Sequence, residues 1–147
     1  MPSTVLYTMG YEGRSLSDLG DMVAQWSIET VIDVRATPHS HKRGFSKPAL
    51  EHYLSGIGVE YVHAASLGSP KHLRDELLAS GDYGAFFAAC ADHFREKGDS
   101  LAEVLSLAQQ SRCMLLCFER QADHCHRSVL AKLLCRMDGY QLNIRHI

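Results

Sequence analysis

The chain has 147 residues and a formal net charge of -2, with 46% hydrophobic and 22% charged residues. That length fits one domain whose core needs neither disulfides nor metal, and the near-neutral charge excludes bulk electrostatic attraction to nucleic acid or an anionic membrane as a driving force. Nine histidines make the charge responsive to pH, and five cysteines, an odd count without a secretion signal, read as reduced thiols.

No apolar run approaches the roughly 18 residues that cross a bilayer. Residues 1–4 run into a strand with no basic leader pattern, so a cytoplasmic protein with no membrane association is expected. Residues 4–9 form the first predicted strand, and 10–13 a turn. Ser15 is a candidate N-cap for a helix over 16–26, whose Leu16, Leu19, Met22, Val23 and Trp26 fall on helical spacing. Residues 30–34 are a short β-branched strand, 35–46 a polar loop, and 48–54 a helix with proline in its first turn. Strand 59–63 follows, then a loop at 67–70 and helices over 71–79 and 83–97. Gly98 is expected to stop the latter helix, and Ser100 to cap the next, which runs to about 110. Residues 113–118 are the fourth strand, 128–137 lie within the last helix, Gly139 ends it, and 141–147 are the fifth strand. Strands alternating with helices predict a single α/β domain: three-layer α/β/α with a mainly parallel five-stranded sheet, Rossmann-like, in the order 3-2-1-4-5.

Most of the chemistry lies between residues 117 and 128. In open α/β sheets ligands bind outside the carboxyl ends of the strands, and a helix start offers unpaired N–H groups and a partial positive charge. Glu119, ending the fourth strand beside Cys117, is the candidate general base or nucleophile, tuned by partial burial and by Arg127 or Arg35. The competing reading pairs it with an arginine to stiffen the site. Cys125, opening a helix beside His126 and Arg127, fits a nucleophilic thiol. Simple packing, a redox pair with Cys117, and a metal set drawn from Cys117, His124, Cys125 and His126 compete with that reading. The Cys-x7-Cys-His spacing matches no standard zinc motif, so no metal site is expected. Arg127 is the expected oxyanion or phosphate clamp and Ser128 the N-cap.

Gly10, Tyr11, Gly13, Arg14 and Ser15 form a strand-to-helix turn that either cradles an anion or is only a tight turn with a capping serine. Asp33 and Arg35 share a strand face. Arg35 is the better ligand contact, and Asp33 is a base or, more simply, its ion-pair partner. The loop after them carries His39, His41, Lys42, Arg43, Phe45 and Lys47, a pattern that suits phosphate esters or single-stranded nucleic acid, or a solvated lid. His63, ending the third strand, is placed at the pocket. His52, His72 and His93 read as surface residues, and Phe86, Phe87, Phe94, Cys90, Cys113 and Cys135 as packing.

The segments Gly10-Tyr11-Glu12-Gly13-Arg14-Ser15, Asp33-Val34-Arg35, Leu67-Gly68, Cys117-Phe118-Glu119 and Cys125-His126-Arg127-Ser128, with Pro38 and the closing His146-Ile147, resemble the family called domain of unknown function 488. The resemblance covers nearly the whole chain and implies an α/β fold with a shared site, and no reaction. The residues themselves suggest an enzyme that binds a phosphorylated or nucleotide-like small molecule at the carboxyl ends of the strands. Arg14, Arg35 and Arg127 bind the anion in that reading, and Glu119 acts with Asp33 and Cys125. A nucleic-acid-binding module without catalysis, or a thiol- or metal-dependent sensor, is the alternative. The pattern specifies neither cofactor nor oligomeric state.

Overall fold

The computed structural model describes residues 4–147; the leader reading of residues 1–3 lies outside them. In chain order the elements are β1 (Val5–Gly10), α1 (Leu16–Gln25), β2 (Thr30–Asp33), α2 (Lys47–Gly56), β3 (Glu60–His63), α3 (Lys71–Ser80), α4 (Tyr83–Arg95), α5 (Gly98–Gln110), β4 (Cys113–Cys117), α6 (Arg127–Met137) and β5 (Asn143–His146). All five strands run parallel, as a βαβ succession requires.

The side-chain alternation of the strands splits the core in two. Leu6, Ile32, Cys113, Leu115 and Cys117 face α3 through α6, where Phe86, Cys90, Phe94, Val104, Leu130 and Leu134 meet them. Tyr7, Met9, Val31, Met114 and Leu116 face α1 and α2, against Leu19, Val23, Leu50 and Leu54. The central strands therefore bury both faces and read as unbroken apolar runs. Strand β4, Cys-Met-Leu-Leu-Cys, is buried throughout.

The sheet order is β3-β2-β4-β1-β5, which corrects the expected 3-2-1-4-5. The two orders differ only by exchanging β1 and β4. Both send α1 and α2 to one face and α3 through α6 to the other with right-handed crossovers, so the twist rule does not separate them. The most continuously apolar strand takes the centre. Its edges pair with β2 (Ile32 beside Leu115) and β1 (Thr8 beside Leu115).

Ser15 caps α1 as expected: it accepts from the Asp18 N–H while Asp18 accepts from the Ser15 N–H, a reciprocal capping box. The other two serine caps are corrected. Helix α5 starts at Gly98, with Lys97 at the cap position, so Ser100 lies inside it. Helix α6 starts at Arg127 after His126, and the Ser128 hydroxyl donates back to the Cys125 carbonyl at 2.9 Å. In both helices the first turn begins before the serine, because the preceding backbone already adopts the turn.

Gly10 and Gly68 allow main chains to touch. A Cβ on Gly10 would lie 1.7 Å from the Glu119 carbonyl oxygen, and one on Gly68 would lie 2.1 Å from the Ala36 nitrogen. Both opposing atoms are backbone, so neither can swing aside. Gly10→Ala is expected to cost on the order of 3 kcal/mol or more in denaturant unfolding. A variant as stable as the parent would show that the loop after β4 is not held against β1.

Candidate functional site

Strand β1 feeds a helix on one face of the sheet and its neighbour β4 feeds a helix on the other. Their carboxyl ends adjoin, Gly10 in register with Cys117. Such a switch point opens a crevice. Main-chain bonds extend past the strands: the Tyr11 N–H donates to the Cys117 carbonyl at 3.0 Å and the Glu12 N–H to the Phe118 carbonyl at 2.8 Å. Tyr11 is buried, stacks on Phe45 with centroids 4.4 Å apart, and meets Phe118 edge-on. Phe45, itself buried, anchors the loop that carries His39, His41 and Lys42.

Asp33 and Arg35 form the first polar anchor. Both are buried. Arg35 Nε donates to Asp33 Oδ1 at 2.8 Å and Nη2 to Oδ2 at 2.7 Å, while the Arg35 N–H also reaches Oδ1. The Tyr61 hydroxyl donates to Oδ2, and Arg35 Nη1 donates to the Tyr11 hydroxyl. Burial alone would lower the Arg35 pKa, but its bonds to Asp33 outweigh it and raise the value. Tyr61 is raised too, by burial and then by Asp33. Asp33 has its acceptors filled, so the ion-pair reading describes it better than the general-base one. His63 Nε2 donates to the Arg35 carbonyl at 2.8 Å; it steadies this segment and does not line the cleft.

Arg127 is the second anchor and is fully buried. Its Nε donates to Thr8 Oγ1 at 3.2 Å, Nη1 to the Glu119 carbonyl and to Cys117 Sγ (3.3 Å), and Nη2 to the Arg120 carbonyl at 3.0 Å. Burial pulls its pKa down to about 10, partly offset by Glu119. Thr8 Oγ1 accepts from Arg127, so its own proton points to His146 Nδ1 on β5. His146 in turn has a lowered pKa, through burial and then through Arg127. The guanidinium expected to clamp a ligand is thus spent on holding the loop after β4.

Around these anchors lies a cavity of about 450 Å³ lined by Tyr11, Arg35, His39, His41, Lys42, Ser69, Arg74, Cys117, Phe118, Glu119 and His126, among others. Glu119 is the one carboxylate in that lining. A second cavity of about 480 Å³ shares Ser69, Arg74, Glu119 and His126, and extends past Tyr83 and His124. A larger cleft of about 850 Å³ lies at the opposite end of the strands; its charged lining is Asp21, Glu29 and Glu60, with no cation to oppose them. Polar groups with shifted pKa values, Arg35 and His126, converge in the carboxyl-end cleft and not in this larger one.

The structure brings Tyr11, Arg35, Cys117, Glu119 and His126 together in one cleft. Gly10 stands behind it as the contact that seats Glu119. Gly13, Arg14 and Ser15 lie outside the lining, where Ser15 serves the helix cap. Burial and then Arg120 lower the Arg14 pKa. Ser128 also stays out of it. Cys125 is buried against Cys117 and His126. Arg74 was not legible in the sequence: it lies on a predicted helix where only His72 stands out, as a surface residue, yet its Nη1 donates to the Ser69 carbonyl at 2.6 Å and the side chain lines both cavities. Among the described residues no helix is long and apolar enough to cross a membrane.

Asp33→Asn leaves the Arg35 guanidinium buried without its counter-charge, and a loss of about 3 kcal/mol in urea unfolding is expected; an unchanged midpoint would remove the anchoring role. His146 predicts a pH effect. Its folded pKa lies below the ordinary histidine value of about 6.5. The unfolded chain therefore binds the proton more readily, and this contribution to stability is present above about pH 6.5 and lost as pH falls. Denaturant midpoints should drop more steeply below that pH in the parent than in His146→Gln, and identical slopes would refute the coupling.

No curated protein and no solved structure matches the chain. The family model described as "Domain of unknown function DUF488" matches residues 15–134, a span holding β2, β3, β4, both anchoring arginines and, Tyr11 apart, the lining of the carboxyl-end cleft. The chain belongs to the DUF488 family.

Proposed function

We propose that the carboxyl-end cleft binds a small phosphorylated or nucleotide-like molecule and that Glu119 carries out acid–base or nucleophilic chemistry on it. One observation carries this reading: Lys42, Arg74, His39 and His41 converge in a cavity of about 450 Å³ whose single carboxylate is Glu119. That volume suits a small ligand. The cationic rim suits phosphate oxygens, with Arg74 and Lys42 taking the place assigned to Arg14 and Arg127. Phe118, 44% exposed, offers a flat apolar face at the same mouth for a base or sugar.

Glu119 is half-buried with its backbone gripped by Arg127, so its carboxylate projects from a fixed main chain. Ionised, it can take a proton from water or a hydroxyl, or attack an electrophilic carbon, while the rim cations stabilise a departing phosphate. A glycosidic or phosphoester bond is the substrate feature that fits these roles. Asp33 supports Arg35, which lines the same wall. Such ligands are abundant in the cytoplasm, the compartment expected from the sequence.

A thermal-shift panel of nucleoside mono-, di- and triphosphates and pyrophosphate tests the reading. Stabilisation by at least one member is expected, weakened roughly tenfold or more in affinity by Lys42→Ala or Arg74→Ala, each such loss being worth about 1.4 kcal/mol. Glu119→Gln should keep the binding and abolish turnover of the bound compound. Full activity in that variant would sink the catalytic assignment. A response to oligonucleotides alone, steep in salt and lost with Lys42, Arg43 and Lys47, would transfer the cleft to a nucleic-acid-binding role.

A further inference from the structure

The sulfurs of Cys117 and Cys125 and a ring nitrogen of His126 lie within 4.8 Å of one another, and all three residues are buried. The strand–helix arrangement produces this cluster: Cys117 ends β4 facing α6, and Cys125 and His126 lead into α6. His126 Nε2 lies 2.8 Å from the Val34 carbonyl, which can only accept, so the proton is on Nε2 and Nδ1 presents a lone pair. That Nδ1 points at the Cys125 sulfur, 3.7 Å away. Such a backbone-anchored imidazole is the usual outer support of a metal-binding histidine.

The sulfurs of Cys117 and Cys125 are in contact, paired as a disulfide, but their Cα atoms are 7.8 Å apart. Disulfides span Cα separations of up to about 6.8 Å, and a gap above about 7 Å is not bridged without backbone movement. Two thiolates on one tetrahedral ion, with bonds of about 2.3 Å, instead place their sulfurs roughly 3.8 Å apart. The 7.8 Å between their Cα atoms leaves room for that parting. The Arg127 guanidinium donates to Cys117 Sγ and its N–H to Cys125 Sγ, the N–H···S pattern that steadies ligating sulfur.

We propose that Cys117, Cys125 and His126 bind one divalent ion of the zinc class, with the fourth coordination position open to the cleft beside Glu119. Two sulfurs and an imidazole select that class over hard cations, and three protein ligands with one open position is the arrangement of catalytic, not structural, zinc. Glu119 Oε2 lies 3.9 Å from Cys117 Sγ, which puts the carboxylate beside that open position. Cys117, Glu119 and His126 all line the cavity, which supplies the entry path. The binding form is the reduced pair, and both thiol protons leave to solvent as the ion enters.

The inference does not rest on the phosphate reading of the cleft, since the ion alone is the probe. The full chain, reduced and stripped of metal, is titrated with Co²⁺ and then Zn²⁺. One equivalent should bind, with thiolate-to-cobalt charge transfer and the intense visible bands of tetrahedral coordination, and Zn²⁺ should displace it. Cys117→Ser, Cys125→Ser and His126→Gln should each weaken binding beyond the roughly 10–100-fold that loss of an outer partner costs, whereas Cys135→Ser should not. Because a ligand variant can fail to fold, alkylation mapping on the parent gives an independent readout: Zn²⁺ should shield Cys117 and Cys125 and leave Cys90, Cys113 and Cys135 unchanged. Absence of stoichiometric binding by the reduced chain would overturn the proposal. So would binding that survives both cysteine variants, or shielding of other thiols.

Discussion

The structure turns on one buried cation. Arg127 enters α6 with its guanidinium wholly removed from water and no carboxylate bonded to it. Burying a charge in that way is expensive unless every donor is satisfied. The partners come from four places: the hydroxyl of Thr8 on β1, the sulfur of Cys117 at the end of β4, and the carbonyls of Glu119 and Arg120 in the loop. Thr8 passes the connection to His146 on β5. A single side chain therefore ties the start of the last helix to three strands and sets the path of the loop that carries Glu119. Gly10 permits the same approach from the other side, because any side chain there would meet the Glu119 carbonyl.

A second cation, Arg35, plays a parallel part with a different partner. Asp33 receives three of its N–H groups, and Tyr61 completes the carboxylate. Together the two arginines fix the floor of the cleft from β2 and from α6. Their donors go to the protein's own side chains and carbonyls, so the rim must supply whatever meets an anion. Lys42 and Arg74 come from segments on either side of the opening and are not drawn into either anchor. A rigid floor with cations at the mouth is a preorganised arrangement, in which little has to reorganise when charge arrives.

Much of this was legible before any coordinates. The parallel sheet followed from the alternation of β-branched runs and amphipathic helices, and the gathering of polar residues at strand ends pointed to the end of the sheet where the polar cleft lies. The position of β4 was not legible, because exchanging it with β1 preserves every crossover hand and every helix layer. Whether a site residue faces inward was not legible either. Arg127 and Arg35 look in sequence like any arginine beside an active carboxylate, and only packing shows that their donors are consumed. Arg74 failed in the opposite direction: on α3, between Leu73 and Asp75, it has the pattern of a surface charge, and only the fold of the loop at Ser69 turns it toward the cleft. Ser15 and Ser128 show the same contrast at helix starts. Both precede an apolar helical run, yet only Ser15 is followed by the acidic residue that completes a reciprocal cap.

The cysteine pair shows why spacing is a poor guide to chemistry when donors come from different elements. Metal motifs readable in sequence place two ligands on one turn or knuckle, so that local backbone fixes their separation. Here Cys117 and Cys125 belong to a strand end and a helix start, separated by a loop that Arg127 folds back on itself. Their separation is set by the tertiary contact between β4 and α6, and seven intervening residues carry no information about it. His126 joins them only because its other nitrogen is committed to Val34 on the neighbouring strand segment. The same buried arginine that positions Glu119 thus also positions both sulfurs. The carboxylate and the thiol pair are consequently parts of one construction, and a change at Arg127 acts on both at once.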